Sequence, residues 1–144
     1  MNILRIAKGP ATAVAPCTTV LEAVRRMKDA DVGAVVVLDG EKLQGMFSER
    51  DVMLRIVLEG RDPETTMVKD VMTTDVVAIR KDTSPDEAVK LMWARHIRHL
   101  PVVREEGKVK GIVEIRNLFH VTFEDLTQQL DSLESYIAAD GIGG

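Results

Sequence analysis

Cysteine is almost missing from this 144-residue chain: Cys17 stands alone. One thiol can neither close an internal disulfide nor build a zinc cluster, which agrees with a reducing compartment. Its expected state is a buried or inert side chain that behaves as a small hydrophobe. Long apolar runs are missing as well. The longest, such as AVVVL at 34–38, are strand-sized, far short of the roughly 20 residues that a membrane helix needs. The opening MNILRIAKGP has no sustained apolar stretch followed by a small-residue cleavage site, so no signal peptide is read and the expected location is the cytoplasm. Positive charge is not in surplus either. Nineteen Lys and Arg against 23 Asp and Glu give a net charge of −4 and a pI near 5.4, which weighs against general nucleic-acid binding and leaves room for one small anion at a local basic spot. What is present is 45% hydrophobic residues, enough to bury the core of one compact soluble domain or of two small halves that share one.

The chain repeats itself. Residues 18–52, TTVLEAVRRMKDADVGAVVVLDGEKLQGMFSERDV, lie over 83–118, TSPDEAVKLMWARHIRHLPVVREEGKVKGIVEIRNL. Glu22, Ala23, Val24 and Met27 meet Glu87, Ala88, Val89 and Met92 at an offset of 65, which becomes 66 from Gly45 and Gly111 onward. The second copy therefore carries one extra residue, and LDGEK against REEGK places it in a glycine-containing hairpin turn, where a change of length is easily absorbed.

Each copy reads as strand, helix, strand, strand, helix. Val20, Ala23, Val24 and Met27 recur at helical spacing behind a Thr18 or Thr19 cap with Glu22 nearby, and Ser84-Pro85 opens the matching helix with a cap and a first-turn proline. Strands are expected at 34–38 with 43–47 and at 99–103 with 109–113, each pair preceded by a short strand at 12–15 or 75–79. Helices follow at about 49–59 and 115–122. The stretch 60–73 is a connector that docks through Val68, Val71 and Met72. Helices on one face of each sheet leave the other face apolar, and packing the two copies sheet to sheet buries it. The expectation is an α/β (α+β) fold of two β-α-β-β-α repeats, 5–59 and 74–122, with pseudo-twofold symmetry, followed by an amphipathic helix over 123–140.

The duplicated unit, the linker VKDVMTTDVVAI, the phrase RHLPVV and the motif GMFSERDV resemble a tandem pair of cystathionine-β-synthase (CBS) domains, a Bateman module, over about residues 5–122; the final helix, ending near LESYI, is similar to that of stand-alone bacterial CBS pairs. The resemblance implies a non-catalytic regulatory module that binds an adenosyl ligand between the copies. AMP, ADP, ATP and NAD(H) are the foremost ligand candidates, with S-adenosylmethionine behind them.

The residues of GMFSERD suit that chemistry on their own terms. Ser48 ends a buried strand and Asp51 lies on the first turn of the next helix, so both face one cleft. A carboxylate accepts from two neighbouring hydroxyls at once, as a ribose requires, and the Ser48 hydroxyl with the amides at the helix start favours phosphate. Ordinary helix capping by Ser48 with surface charge at Asp51 is the plainer alternative. From the resemblance come Thr73 and Ala78 on the opposite wall, the backbone near Ala78 reading adenine, with Met46 and Val77 as apolar walls. It also brings Arg98 and His99 as phosphate donors, and Arg50 as a further reach toward phosphate.

The second copy departs from this pattern. Glu114 and Asn117 stand where Ser48 and Asp51 stand in the first, and Gly33 and Ala34 where Arg98 and His99 stand, so the second cleft is expected to be impaired. HIRH at 96–99 lacks the partners of a metal site. GEKLQGMF has Met46 where a phosphate loop needs Lys. Trp93 is expected to pack, and no nucleophile, base and orienter set suggests an enzyme. Phe123, Leu126, Leu130, Leu133 and Ile137 form a narrow stripe that suits a homodimer seam, and DGIGG at the end should fray. An unknown target protein is the implied partner, without nucleic acid or membrane. A ligand-free dimerisation or scaffold module, and a nucleic-acid binder, are the alternatives.

Overall fold

The computed structural model describes residues 2–7 and 9–140, and the duplicated sequence folds as a duplicated structure. In the first copy β1 (Ala13–Val14) runs parallel to β2 (Ala34–Asp39), which pairs antiparallel with β3 (Lys42–Ser48). Between β1 and β2 lies α1 (Val20–Ala30), whose cap Thr19 accepts from the Glu22 amide at 3.3 Å. β3 passes directly into α2 (Glu49–Asp51), prolonged by a π-helical run over Val52–Val57. The connector forms α3 (Val68–Val71). The second copy repeats the plan with α4 (Pro85–Arg95), capped by Ser84, then β4 (His99–Val103) antiparallel to β5 (Val109–Glu114), then α5 (Ile115–Asp140).

The two hairpins share even their irregularity. Each shifts register at the same point, between Val37 and Leu38 and between Val102 and Val103, with Gly45 opposite Val37 and Gly111 opposite Val102. Paired Leu38 and Leu43 enclose four residues, whereas paired Val103 and Val109 enclose five. The extra residue of the second copy therefore lies in the hairpin loop.

Strand alternation divides the core. In β2, Val35 and Val37 turn toward α1 and meet Val20, Ala23, Met27, Phe47 and Ile56. Ala34 and Val36 turn the other way and meet Met46 and Ile112, so the two sheets touch through their inner faces. The second copy packs Ala88, Met92, Leu100, Val102, Val113 and Leu118 in a core of its own.

The leading segments are exchanged between copies. Ile3 and Ile6, in and beside a short 3-10 turn, lie in the core of the second copy, and Val68 and Val71, at the positions 65 residues later, lie in the core of the first. Each copy is thus closed by the segment that introduces the other. Connector docking through Val68, Val71 and Met72 follows the sequence expectation.

Several expectations give way. No strand forms over 75–79, where Ile79 makes a single parallel bridge to Val102. The reason lies upstream: Thr73 is bonded in both directions to Met46 on β3, at 2.9 and 2.8 Å, so the chain leaves one sheet for the other and only Ile79 reaches the second ladder. The helix expected over 115–122 and the tail helix over 123–140 are one, since 115–140 contains neither glycine nor proline to break it. Trp93 does not pack: Ala88 and Met92 form the buried face of α4, and Trp93, one residue round from Met92, is 82% exposed. Cys17 is exposed rather than buried. The expected fraying of the terminus concerns 141–144, outside the described residues.

Candidate functional site at the meeting of the two copies

The end of β3 and the start of α2 bring the motif together. Ser48 leaves the strand in an extended conformation and caps α2: its hydroxyl oxygen accepts from the Asp51 amide at 3.4 Å, and Asp51 Oδ2 accepts from the Ser48 amide at 3.0 Å. This reciprocal capping turns the Asp51 carboxylate inward, where the residue is only 6% exposed. Its other oxygen, Oδ1, accepts from the Thr73 hydroxyl at 3.1 Å and faces Arg55 Nε at 3.8 Å. The Ser48 hydroxyl also lies 3.3 Å from Oδ2. Four sequence candidates, Met46, Ser48, Asp51 and Thr73, are therefore neighbours, with Met46 held by its backbone pair to Thr73.

Close packing enforces that crossing. A Cβ on Gly45 would stand 2.6 Å from the Thr73 carbonyl oxygen, closer than such contacts allow, so only glycine lets the connector pass over β3 here. Arg55 secures the same place from the other side, donating to the carbonyls of Val71 at 3.0 Å and Met72 at 2.8 Å. Three groups without regular backbone partners, two carbonyls at the end of α3 and one carboxylate, are thus served by a single guanidinium.

Arg98 and His99 lie in a neighbouring cavity of about 550 Å³, bounded by Lys28 and Asp31 at the end of α1, Gly33, Glu49, Glu114 and Arg116. His99 and Glu114 are direct cross-strand partners on β4 and β5, and their side chains approach to 4.0 Å. Arg116 Nη2 reaches the other Glu114 oxygen at 3.4 Å. Glu49 Oε1 and the His99 ring lie over Gly33, and a side chain there would have to displace them. Burial pushes the His99 imidazole below the ordinary histidine range; the carboxylates of Glu114 and Glu49 partly offset this, while Arg98 and Arg116 add to it. At pH 7 His99 is consequently a neutral donor and acceptor, and the permanent charge of the pair belongs to exposed Arg98.

The remaining candidates go elsewhere. Arg50 donates to the carbonyl of His96 at 3.4 Å, a tie between α2 and the end of α4. Val77 packs with the second-copy core, and its neighbour Val76 takes the place beside Met46. Ala78 is exposed. The sequence reading passed over Arg55, Glu49 and Arg116. Glu49 was in view, inside SERD, whereas Arg55 has no sequence signal because its acceptors lie in a different segment. Among the described residues no group of three His, Cys, Asp or Glu could hold a metal ion, and no helix is long and apolar enough to cross a membrane.

Comparison with known proteins places this geometry. The family model described as CBS domain matches twice, at residues 7–58 and 68–124, and the chain belongs to that family as a CBS domain pair. It is 30% identical over 122 residues to the uncharacterized protein MK0525 of Methanopyrus kandleri, a match that covers 84% of this chain and 62% of that relative. The chain thus spans about three fifths of that protein's length. A putative signal-transduction protein with CBS domains from Burkholderia ambifaria superposes with a TM-score of 0.79 at 30% identity, over 87% of this chain and 96% of that one. The CBS domain pair of protein MJ0100, solved in complex with 5'-methylthioadenosine and S-adenosyl-L-methionine, superposes with a TM-score of 0.80 over 87% and 98% of the two chains. At 18% identity that likeness is one of fold.

Because the Asp51 carboxylate completes the capping box of α2 and receives the Thr73 hydroxyl, Asp51→Ala should cost stability as well as any ligand. The Ser48 hydroxyl keeps its bond from the residue-51 amide, so the loss is that of the carboxylate's hydrogen bonds, about 1–3 kcal/mol in total. Urea denaturation followed by circular dichroism should show a folded but less stable protein; an unchanged midpoint would mean that the capping network is not formed in solution.

Proposed function

We propose that this CBS pair is a regulatory module that binds one adenosyl ligand per chain in the cleft headed by Asp51 and conveys its occupancy to a partner protein. The observation that carries this reading is the state of Asp51: a buried carboxylate whose hydroxyl partners, Ser48 and Thr73, are the kind that ribose hydroxyls can replace one for one. Such an exchange keeps the number of hydrogen bonds constant and leaves no buried acceptor unsatisfied. Met46 and Val76 supply an apolar wall beside it. Arg98 and His99, in the neighbouring cavity, are the residues this reading assigns to whatever the ribose carries at its far end. AMP, ADP, ATP and NAD(H) remain the ligand candidates, with S-adenosylmethionine a further one in view of the ligands named for MJ0100.

The second cleft lacks these means. Glu114 is buried where the first cleft has Ser48, and Asn117 offers a neutral amide in place of a carboxylate. We read no catalytic role, since the Ser48 hydroxyl and the Asp51 carboxylate are engaged with each other in the cap of α2. The cytoplasm is the location this reading assumes, and the target protein is its unnamed partner. A ligand-free scaffold is the competing reading. Titration calorimetry separates the two: AMP should bind the parent chain at about one equivalent, and Asp51→Ala should weaken it at least tenfold. Two equivalents, or binding indifferent to Asp51, would refute the site; no binding of any adenosyl ligand would favour the scaffold.

A homodimer is part of the same proposal. Met53 and Val57 on the π-helical run and Phe119 and Phe123 on α5 occupy equivalent positions of the two copies, and all four are exposed. Leu126, Leu130, Leu133 and Ile137 continue the apolar line along α5. A self-complementary apolar surface of this kind suits a second copy of the chain. Residues 123–139 are all exposed, so truncation after Thr122 should leave the CBS pair folded while shifting it from dimer to monomer in sedimentation. A truncated chain that still sediments as a dimer would assign the contact to the helices of the CBS bodies.

A further inference from the structure

Glu114 belongs by sequence to the second cleft, yet its side chain faces His99, which the reading above gives to the first. It is 6% exposed and faces His99 across the β4–β5 pair at 4.0 Å while Arg116 approaches its other oxygen at 3.4 Å. Glu49 enters the same cavity from the start of α2 and meets His99 over Gly33. Both carboxylates therefore lie against the residue that, in the reading above, receives the far end of the ligand.

The charge of the cavity follows from its lining. Lys28, Arg98 and Arg116 bring three positive charges, and Asp31, Glu49 and Glu114 bring three negative ones. Neutral His99 adds none. Of the cations, Arg116 is already engaged by Glu114. A site for a di- or triphosphate needs a clear excess of positive charge to replace the water that solvates those oxygens. This cavity has no such excess, and its buried acid already occupies part of the donor capacity that a phosphate would use.

We propose that Glu114 is a specificity-determining residue of the first cleft, an internal anion that sets how much negative charge the ligand may carry and selects adenosyl ligands with an uncharged or singly phosphorylated tail over di- and triphosphates. The inference rests on the adenosyl reading of the Asp51 cleft and adds to it the class of ligand. A carboxylate 4.0 Å from the His99 ring repels each further phosphate brought against that ring. Departure from serine at this position then has two effects: it disables one cleft and tunes the other.

The test is a calorimetric series of adenosine, AMP, ADP and ATP, in chelator without divalent cations, on the parent chain and on Glu114→Gln. In the parent, affinity should fall from AMP to ATP. In Glu114→Gln that fall should flatten, with the ATP to AMP affinity ratio rising roughly three- to thirtyfold, the scale of one charge removed at close range. Glu114→Ser, which restores the residue found in the first copy, should move the ratio the same way and serves if the glutamine variant does not fold. A parent that binds ATP more tightly than AMP, or a ratio unmoved in the folded variants, would overturn the proposal while leaving the Asp51 cleft standing. A parent that binds none of the four would overturn the adenosyl reading and this inference together.

Discussion

One buried carboxylate ties together more of this molecule than any other group. Asp51 closes the cap that starts α2, receives the Thr73 hydroxyl from the connector and faces the Arg55 guanidinium, which in turn holds two carbonyls at the end of α3. Strand β3, helix α2, the π-helical run and the passage from the first copy to the second all converge there. A buried charge is tolerable only when it is supplied with donors, and here the donors come from the very segments that must be held in register. In the proposed reading, the same requirement that stabilises the crossing also prepares an acceptor for a ligand with paired hydroxyls.

This arrangement gives a physical route from ligand to fold. A ribose that takes over hydrogen bonds from Thr73 or Ser48 releases a hydroxyl on the connector or on the cap, and Thr73 is one residue from the α3 terminus that Arg55 grips. The connector also carries Val68 and Val71 into the first core, and the equivalent Ile3 and Ile6 enter the second. Because each copy is completed by a segment leading into the other, a displacement at Thr73 bears on both. A partner protein that contacts either helix pair would sense such a shift only to the extent that it binds the two states unequally.

Much of the architecture was legible because it is written in local periodicities. Val20, Ala23 and Met27 mark one helical face, and β2 alternates between two cores as a strand must. The repeat then fixed the second copy from the first. What escaped was set by contacts between distant segments. The strand expected over 75–79 reduces to a bridge at Ile79 because Thr73 is claimed by the opposite sheet, and that change of course also puts Val76 rather than Val77 beside Met46; a shift of one residue reverses every side chain of an extended segment. Ser48, Asp51, Thr73 and Met46 were foreseen as neighbours because motif and connector meet there. Arg55 was not, since its acceptors are backbone carbonyls that no motif records. Trp93 was misjudged because hydrophobicity alone does not say which face of α4 a residue occupies.

The central claim is that the Asp51 network is a ribose site held closed by protein hydroxyls. A crystal structure of the chain grown with adenosine tests it without dependence on phosphate or on oligomeric state. The account predicts both ribose hydroxyls on the Asp51 carboxylate, the Thr73 hydroxyl displaced from it, and the base against Met46 and Val76. Adenosine bound elsewhere, with the Thr73 to Asp51 hydrogen bond intact, would contradict it.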